Sequence, residues 1–127
     1  MPIRVGLIGY GLAGSAFHAP FIAAHRKLVL AAIVTGDPGR RALARRDHPS
    51  ARLLDHAEQL IEERDAFDLV VIASPNATHV PLAMVMLDAG FSVVVDKPLA
   101  RTADGARMLY DRARERGLLL TPFQNRR

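Results

Sequence analysis

Apolar residues along this chain follow two rhythms. Short unbroken runs, 3-IRVGLIG-9, 28-LVLAAIV-34, 68-DLVVIA-73 and 91-FSVVV-95, are rich in β-branched residues and do not alternate with polar ones. Such runs are strands buried on both faces, as in a parallel sheet covered by helices. Between them, apolar positions recur at helical spacing. Residues 12–25 place Ala13, Ala16, Phe17, Pro20, Phe21 and Ala24 in this way. Asp37 followed by Pro38 is an N-cap with proline at the first helical position, opening a helix over 38–46. A small strand at 52–54 and a helix at 56–64 follow. A helix over 79–89 is closed by Gly90, and one from the Thr102 cap to about 116 is closed by Gly117. Residues 118–121 (LLLT) make the last strand. Strand and helix alternating with short connections predict a doubly wound α/β fold. There is no internal repeat, low-complexity tract or linker, so residues 1–127 read as one domain.

Composition narrows the function classes. Half the residues are hydrophobic and 24% are charged, a globular balance. No run of 18 apolar residues is present, so no membrane span is expected. The apolar N-terminus is broken by Arg4, Gly6, Gly9, Gly11 and Gly14, which does not fit an export signal. Without cysteine, disulfides and thiolate metal sites are excluded, and the expected compartment is the cytoplasm. The net charge is +4, which raises nucleic acid as a partner. Its distribution argues otherwise. Residues 1–100 carry ten basic and ten acidic side chains; the excess lies in 101–127, seven arginines against Asp104, Asp111 and Glu115. Arginines interspersed with acids along a helix are a solvated face, and no aromatic residues interleave to stack bases.

The first strand runs into 9-GYGLAG-14, which fits G-x-G-x-x-G. Gly9 makes the tight turn, Gly11 lets the backbone approach a pyrophosphate, and Gly14 lets the helix pack close to the strand. The helix N-terminus, with Leu12 and Ala13, then offers free N–H groups to phosphates. Set between a strand and a helix, the motif predicts a Rossmann-type dinucleotide site rather than an empty glycine-rich turn. The second strand end discriminates between cofactors. Where an NAD site usually has an acid on the ribose hydroxyls, this chain has Thr35, followed by Gly36, with Arg40 and Arg41 within one helical turn. That favours NADP(H). The alternative is NAD, with Asp37 taking the acid's role two residues later.

At the fourth strand end, 74-SPNATH-79 precedes a helix. Pro81 is tolerated only in a first turn, so Thr78 is expected as N-cap and Ser74, Pro75 and Asn76 as a loop at the carboxyl edge of the sheet, where ligands bind in open α/β folds. Asn76 has donors and an acceptor for a cofactor. His79, at the helix start, is the one histidine expected near it. His18, His25, His48 and His56 show no metal-ligand pattern and are expected in solvent or in packing.

Taken in order, G-x-G-x-x-G, then S-P-N-x-T-H, then 96-DKP-98, then 123-FQNRR-127 resemble the N-terminal domain of the Gfo/Idh/MocA oxidoreductases, end to end. The family usually has Glu-Lys-Pro at the fifth strand; Asp96 keeps the charge on a shorter arm. The segments 17-FHAP-20 and 34-VTG-36 resemble a branch that includes NADP-dependent scyllo-inositol dehydrogenases. The resemblance implies that Asp96, Lys97 and Pro98 border the cofactor, often with a cis bond before the proline. It implies that Lys97, one of only two lysines, bonds the hydroxyl being oxidised, and that Arg126, with Asn125, lies near the substrate. It also implies a sugar, inositol or related polyol substrate and a homo-oligomer. The family's second α/β domain, which supplies the substrate pocket, lies outside these 127 residues. The expectation for the chain alone is therefore cofactor binding with little or no turnover. A non-catalytic dinucleotide-binding regulator and a methyltransferase-like ligand are the competing readings. Lys97 argues against the first; Gly14 and the missing acid after the second strand argue against the other.

Overall fold

The computed structural model describes residues 2–123. Asn125 and Arg126 lie outside them. Six strands form one sheet in the order β3-β2-β1-β4-β5-β6. They are β1 (Ile3–Ile8), β2 (Leu28–Val34), β3 (Arg52–Leu54), β4 (Leu69–Ile72), β5 (Ser92–Asp96) and β6 (Leu120–Phe123). All five neighbouring pairs are parallel. The helices are α1 (Ala19–Ala24), continuous with a π-helical stretch Ala13–His18, then α2 (Pro38–Asp47), α3 (Glu58–Glu62), α4 (His79–Asp88) and α5 (Ala103–Glu115). The doubly wound Rossmann arrangement expected from the sequence is the one observed.

Two apolar clusters sandwich the sheet. On one side Ile8, Val34, Val70, Ile72, Val93 and Val95 pack against Leu60, Met86, Leu87 and Leu109, from α3, α4 and α5. On the other, Val5, Leu7, Leu30, Ile33 and Val71 pack against Ala19, Ile22 and Ala44, from α1 and α2. Consecutive residues of β1 and β4 thus bury opposite faces, which is why those runs do not alternate. β5 departs from the expectation: Val93 and Val95 are buried but Val94 only partly, because α1 and α2 belong to the β1–β3 half and their cover thins toward β5.

The first helix also differs. Its buried residues are Gly14, His18, Ala19 and Ile22, while Phe17 is 38% and Phe21 69% exposed. The Ala19 N–H bonds to the Gly14 carbonyl five residues back. That wider π turn rotates the later side chains away from α-helical spacing. At the start of α4, Thr78 holds the N-cap position without capping. Its hydroxyl donates to the Pro75 carbonyl and meets the Ser74 hydroxyl at 2.6 Å, within a 3₁₀ turn over Asn76–Thr78. Pro81 falls at the third helical position, as expected. β6 begins two residues later than expected, because the Leu118 N–H is used to close α5 on the Ala113 carbonyl, beside Gly117 at φ +67°.

Thr102 does cap α5: its hydroxyl accepts from the Gly105 N–H at 3.0 Å. Thr102→Ala is expected to cost about 1 kcal/mol, read as a lower urea midpoint with unchanged slope.

Candidate active site

The first βα turn is built by steric necessity. Gly9 has φ +101°, and a Cβ there would lie 2.8 Å from the Ala73 carbonyl oxygen. The turn after β1 therefore sits directly against the end of β4, at the point where strand order reverses. A Cβ on Gly14 would lie 2.1 Å from the Gly9 carbonyl oxygen, so the helix can start only where this residue has no side chain. Gly11 is different. Its missing Cβ faces the Arg40 guanidinium at 3.6 Å, an ordinary contact distance. Glycine at this position keeps backbone accessible rather than avoiding a clash.

These turns open into a cleft of about 380 Å³ bounded by Gly9, Gly11, Thr35, Gly36, Arg40, Asp55, Ser74 and Pro75. That is within the range of small-molecule sites. Seven residues selected from sequence as cofactor-binding thus share one cavity: Gly9, Gly11, Thr35, Gly36, Arg40, Ser74 and Pro75. Leu12, 75% exposed, and Ala13 begin the helix at its rim. Asn76 is exposed in the 3₁₀ turn beside Pro75.

The acid and base groups on the β2 side are now separable. Asp37 caps α2, accepting from the Arg40 N–H at 2.8 Å. Arg41 is committed to Asp55 at 2.7 Å and to the Thr35 carbonyl at 3.1 Å. Arg40 is the arginine whose guanidinium faces the glycine turn. Asp55 was not anticipated; only the pairing of β3 with β2 brings it to this wall.

Two further side chains were missed. Tyr10, between the glycines, is 2% exposed and donates its hydroxyl to Asp47 at 2.8 Å, tying the turn to the end of α2. Burial first, and then this bond, push its phenol up to about 12. The Tyr10 hydroxyl and Arg46 hold Asp47 below the usual carboxylate range. A phenol with a raised folded-state pKa contributes stability below about pH 10, and that contribution is lost as pH rises toward 12. Tyr10→Phe is therefore expected to be less stable than the native chain at pH 7 and to lose less stability between pH 10 and 12; urea midpoints across that range check it.

His18 is the second. It is 4% exposed, with Nε2 2.5 Å from Asp96 Oδ1 and its ring 4.4 Å from that of Phe123. Its burial against Phe123 is the packing alternative expected from the sequence; the bond to Asp96 was not anticipated. Asp96, expected at the cofactor, has one oxygen committed to His18 on the α1 side. His79, expected near the cofactor, has its ring engaged beneath the cleft residue Ser74. It is 1% exposed, with Nδ1 2.7 Å from the Pro98 carbonyl and Nε2 2.9 Å from the Ser74 carbonyl. Both ring nitrogens face backbone, so the ring joins the β4 and β5 loops from beneath. Lys97 and Pro98 are exposed beyond β5, and the peptide between them is cis.

Among the described residues no group of three or more His, Cys, Asp or Glu could hold a metal ion, and no helix is long and apolar enough to cross a membrane.

A parallel 3-2-1-4-5-6 sheet with a glycine turn at its switch point defines a nicotinamide-dinucleotide-binding domain of the Rossmann class. Residues 3–124 match the Gfo/Idh/MocA description "Oxidoreductase family, NAD-binding Rossmann fold", and the chain belongs to that family. It is 43% identical over 125 residues to the uncharacterized oxidoreductase YdgJ of Escherichia coli, covering 98% of this chain and 35% of that protein. It is 34% identical over 125 residues to the scyllo-inositol 2-dehydrogenase (NADP(+)) IolW of Bacillus subtilis, covering 98% and 34%. A crystal structure of KijD10, a 3-ketoreductase from Actinomadura kijaniata in complex with NADP and TDP-benzene, superposes with a TM-score of 0.87 at 31% identity, over 96% of this chain and 37% of that one. The chain thus spans about a third of the length of the relatives it matches.

Proposed function

We propose that residues 1–127 act as one dinucleotide-binding unit that prefers NADP(H), in an oxidoreductase acting on a sugar, inositol or related polyol. The observation that carries the cofactor preference is the disposition of charge at the end of β2. Thr35 stands where an acid would repel a 2′-phosphate, Asp37 is engaged in capping α2, and the Arg40 guanidinium lies across the cleft mouth. A guanidinium offers forked donors suited to phosphate. The groups present fit a pyrophosphate as well: the turn at Gly9–Gly14 brings bare backbone and a helix start to the cavity.

The nicotinamide supplies hydride acceptance or delivery when bound. The chain's own contribution to the chemistry is Lys97, whose ammonium would donate to the substrate oxygen and stabilise negative charge developing there. The names of the B. subtilis and A. kijaniata relatives support NADP and an oxygenated ring substrate. Titration of the chain with NADPH and NADH, followed by nicotinamide fluorescence, tests the reading. Tighter NADPH binding by tenfold or more, about 1.4 kcal/mol, is the expected result. Tighter NADH binding would reassign the ribose contact to Asp37, and binding of neither would remove the dinucleotide reading for the isolated chain.

A further inference from the structure

We propose that His18 is a positioning residue for Lys97, acting through a hydrogen bond from its Nε2–H to Asp96 and resting on the reading of Lys97 given above. Asp96 is the last residue of β5 and directly precedes Lys97 in the chain. An ionised carboxylate only accepts hydrogen bonds, so the donor we assign across the 2.5 Å contact is the imidazole N–H. Charge-assisted bonds of this kind are short and directional.

The imidazole is itself held in place. His18 is 4% exposed and its ring is tilted 59° against Phe123. Phe123 is the β6 residue paired with Asp96 in the sheet register. One ring therefore meets the Asp96 carboxylate and the residue across from it on the edge strand. The backbone that carries His18 is equally particular. It ends the π-helical stretch that starts at the glycine turn, and Gly14 accepts from the Ala19 N–H across that widened turn. His18 thus joins the helical segment that follows the glycine turn to the strand end just before Lys97, through a pair of residues 78 apart in sequence.

The chemical consequence concerns where the Asp96 charge points. A free carboxylate next to an ammonium can fold over it and neutralise the donor that the substrate oxygen needs. Bonded to His18, the Asp96 carboxylate is held on the α1 side, and Lys97 stays exposed at the sheet edge. The shorter acid at this position suits the arrangement, since the histidine comes to it.

The chain has two lysines, Lys27 and Lys97, so lysine labelled with ¹³C at Cε yields two side-chain signals, with Lys27 as an internal reference. His18→Leu removes the donor. His18→Gln places an amide N–H where Nε2 sits. The expected result is a displaced Lys97 signal in His18→Leu, an unmoved Lys27 signal in both variants, and a Lys97 signal returned to its native position in His18→Gln. General loosening of the fold would not be reversed by the glutamine. An unmoved Lys97 signal in folded His18→Leu, or equal displacement in both variants, overturns the proposal. Should His18→Leu not fold, the native chain decides: ring ¹⁵N spectra are expected to show a protonated His18 Nε2 with its proton downfield of those of the other four histidines, and an unprotonated Nε2 overturns it. NADPH added to the native chain tests the underlying reading separately. A Lys97 signal indifferent to saturating NADPH overturns its placement beside the cofactor, whichever way the His18 variants behave.

Discussion

Arg40→Ala is expected to weaken NADPH binding roughly ten- to thirtyfold and to leave NADH binding within about twofold. A hydrogen bond to a charged group contributes about 1.5–3 kcal/mol, and exposure of Arg40 places it at the lower end of that range. The effect is expected to be specific to the phosphate because, among the described residues, this guanidinium enters no hydrogen bond or ion pair that holds the fold. It lies at contact distance from Gly11 and lines the cleft, whereas the Arg40 N–H, which donates to the capping Asp37 carboxylate, is backbone and survives the substitution. Arg41→Ala is the informative contrast. Arg41 neutralises Asp55 at 2.7 Å and bonds the Thr35 carbonyl. Its loss leaves an unpaired carboxylate on the cleft wall, so binding of both dinucleotides should fall, NADPH the more. Fluorescence titrations of the two variants at one ionic strength separate these cases. Equal loss of both cofactors in Arg40→Ala would remove the 2′-phosphate assignment.

The second large effect is on the fold. Gly14→Ala is expected to destabilise the chain by about 3 kcal/mol or more, at the upper end of overpacking costs and a large part of an ordinary domain's 5–15 kcal/mol. The added methyl would meet the Gly9 carbonyl oxygen at 2.1 Å, and both sides of that clash are backbone. Gly9 cannot retreat. Its φ of +101° is open only to glycine-like geometry, and it already rests against Ala73. Urea unfolding should show a markedly lower midpoint. Gly11→Ala, with its nearest neighbour at 3.6 Å and that neighbour the end of a flexible side chain, should unfold near the native midpoint yet bind NADPH more weakly, because its methyl occupies the approach to the turn. If Gly11→Ala proved the more destabilised of the two, the steric account of the turn would be wrong.

What the sequence determined by itself was local. The non-alternating runs of β1, β2 and β4 declare strands buried on both faces, because the apolar character that drives burial is written at each position. Gly9 and Gly14, Pro38 behind Asp37, Thr102, Gly90 and Gly117 mark turns and helix ends, because backbone geometry there is decided within a few residues. The glycine turn and the order of motifs around Lys97 carry the family and its nicotinamide-dinucleotide class. The tertiary structure decided which charge meets which. Tyr10 with Asp47, Arg41 with Asp55 and His18 with Asp96 are pairs formed across the sheet, between residues whose nearness depends on strand order and on helix rotation. Nothing near His18 in the chain announces Asp96. The π turn that carries it inward also leaves Phe17 and Phe21 exposed, against the helical spacing of the apolar residues. A side chain's polarity is written at its own position, but its partner is set by the packing of elements far apart in sequence. That is why the cleft's lining other than Asp55 was legible beforehand, while the bonds that hold Asp96, His79 and Arg41 in place were not.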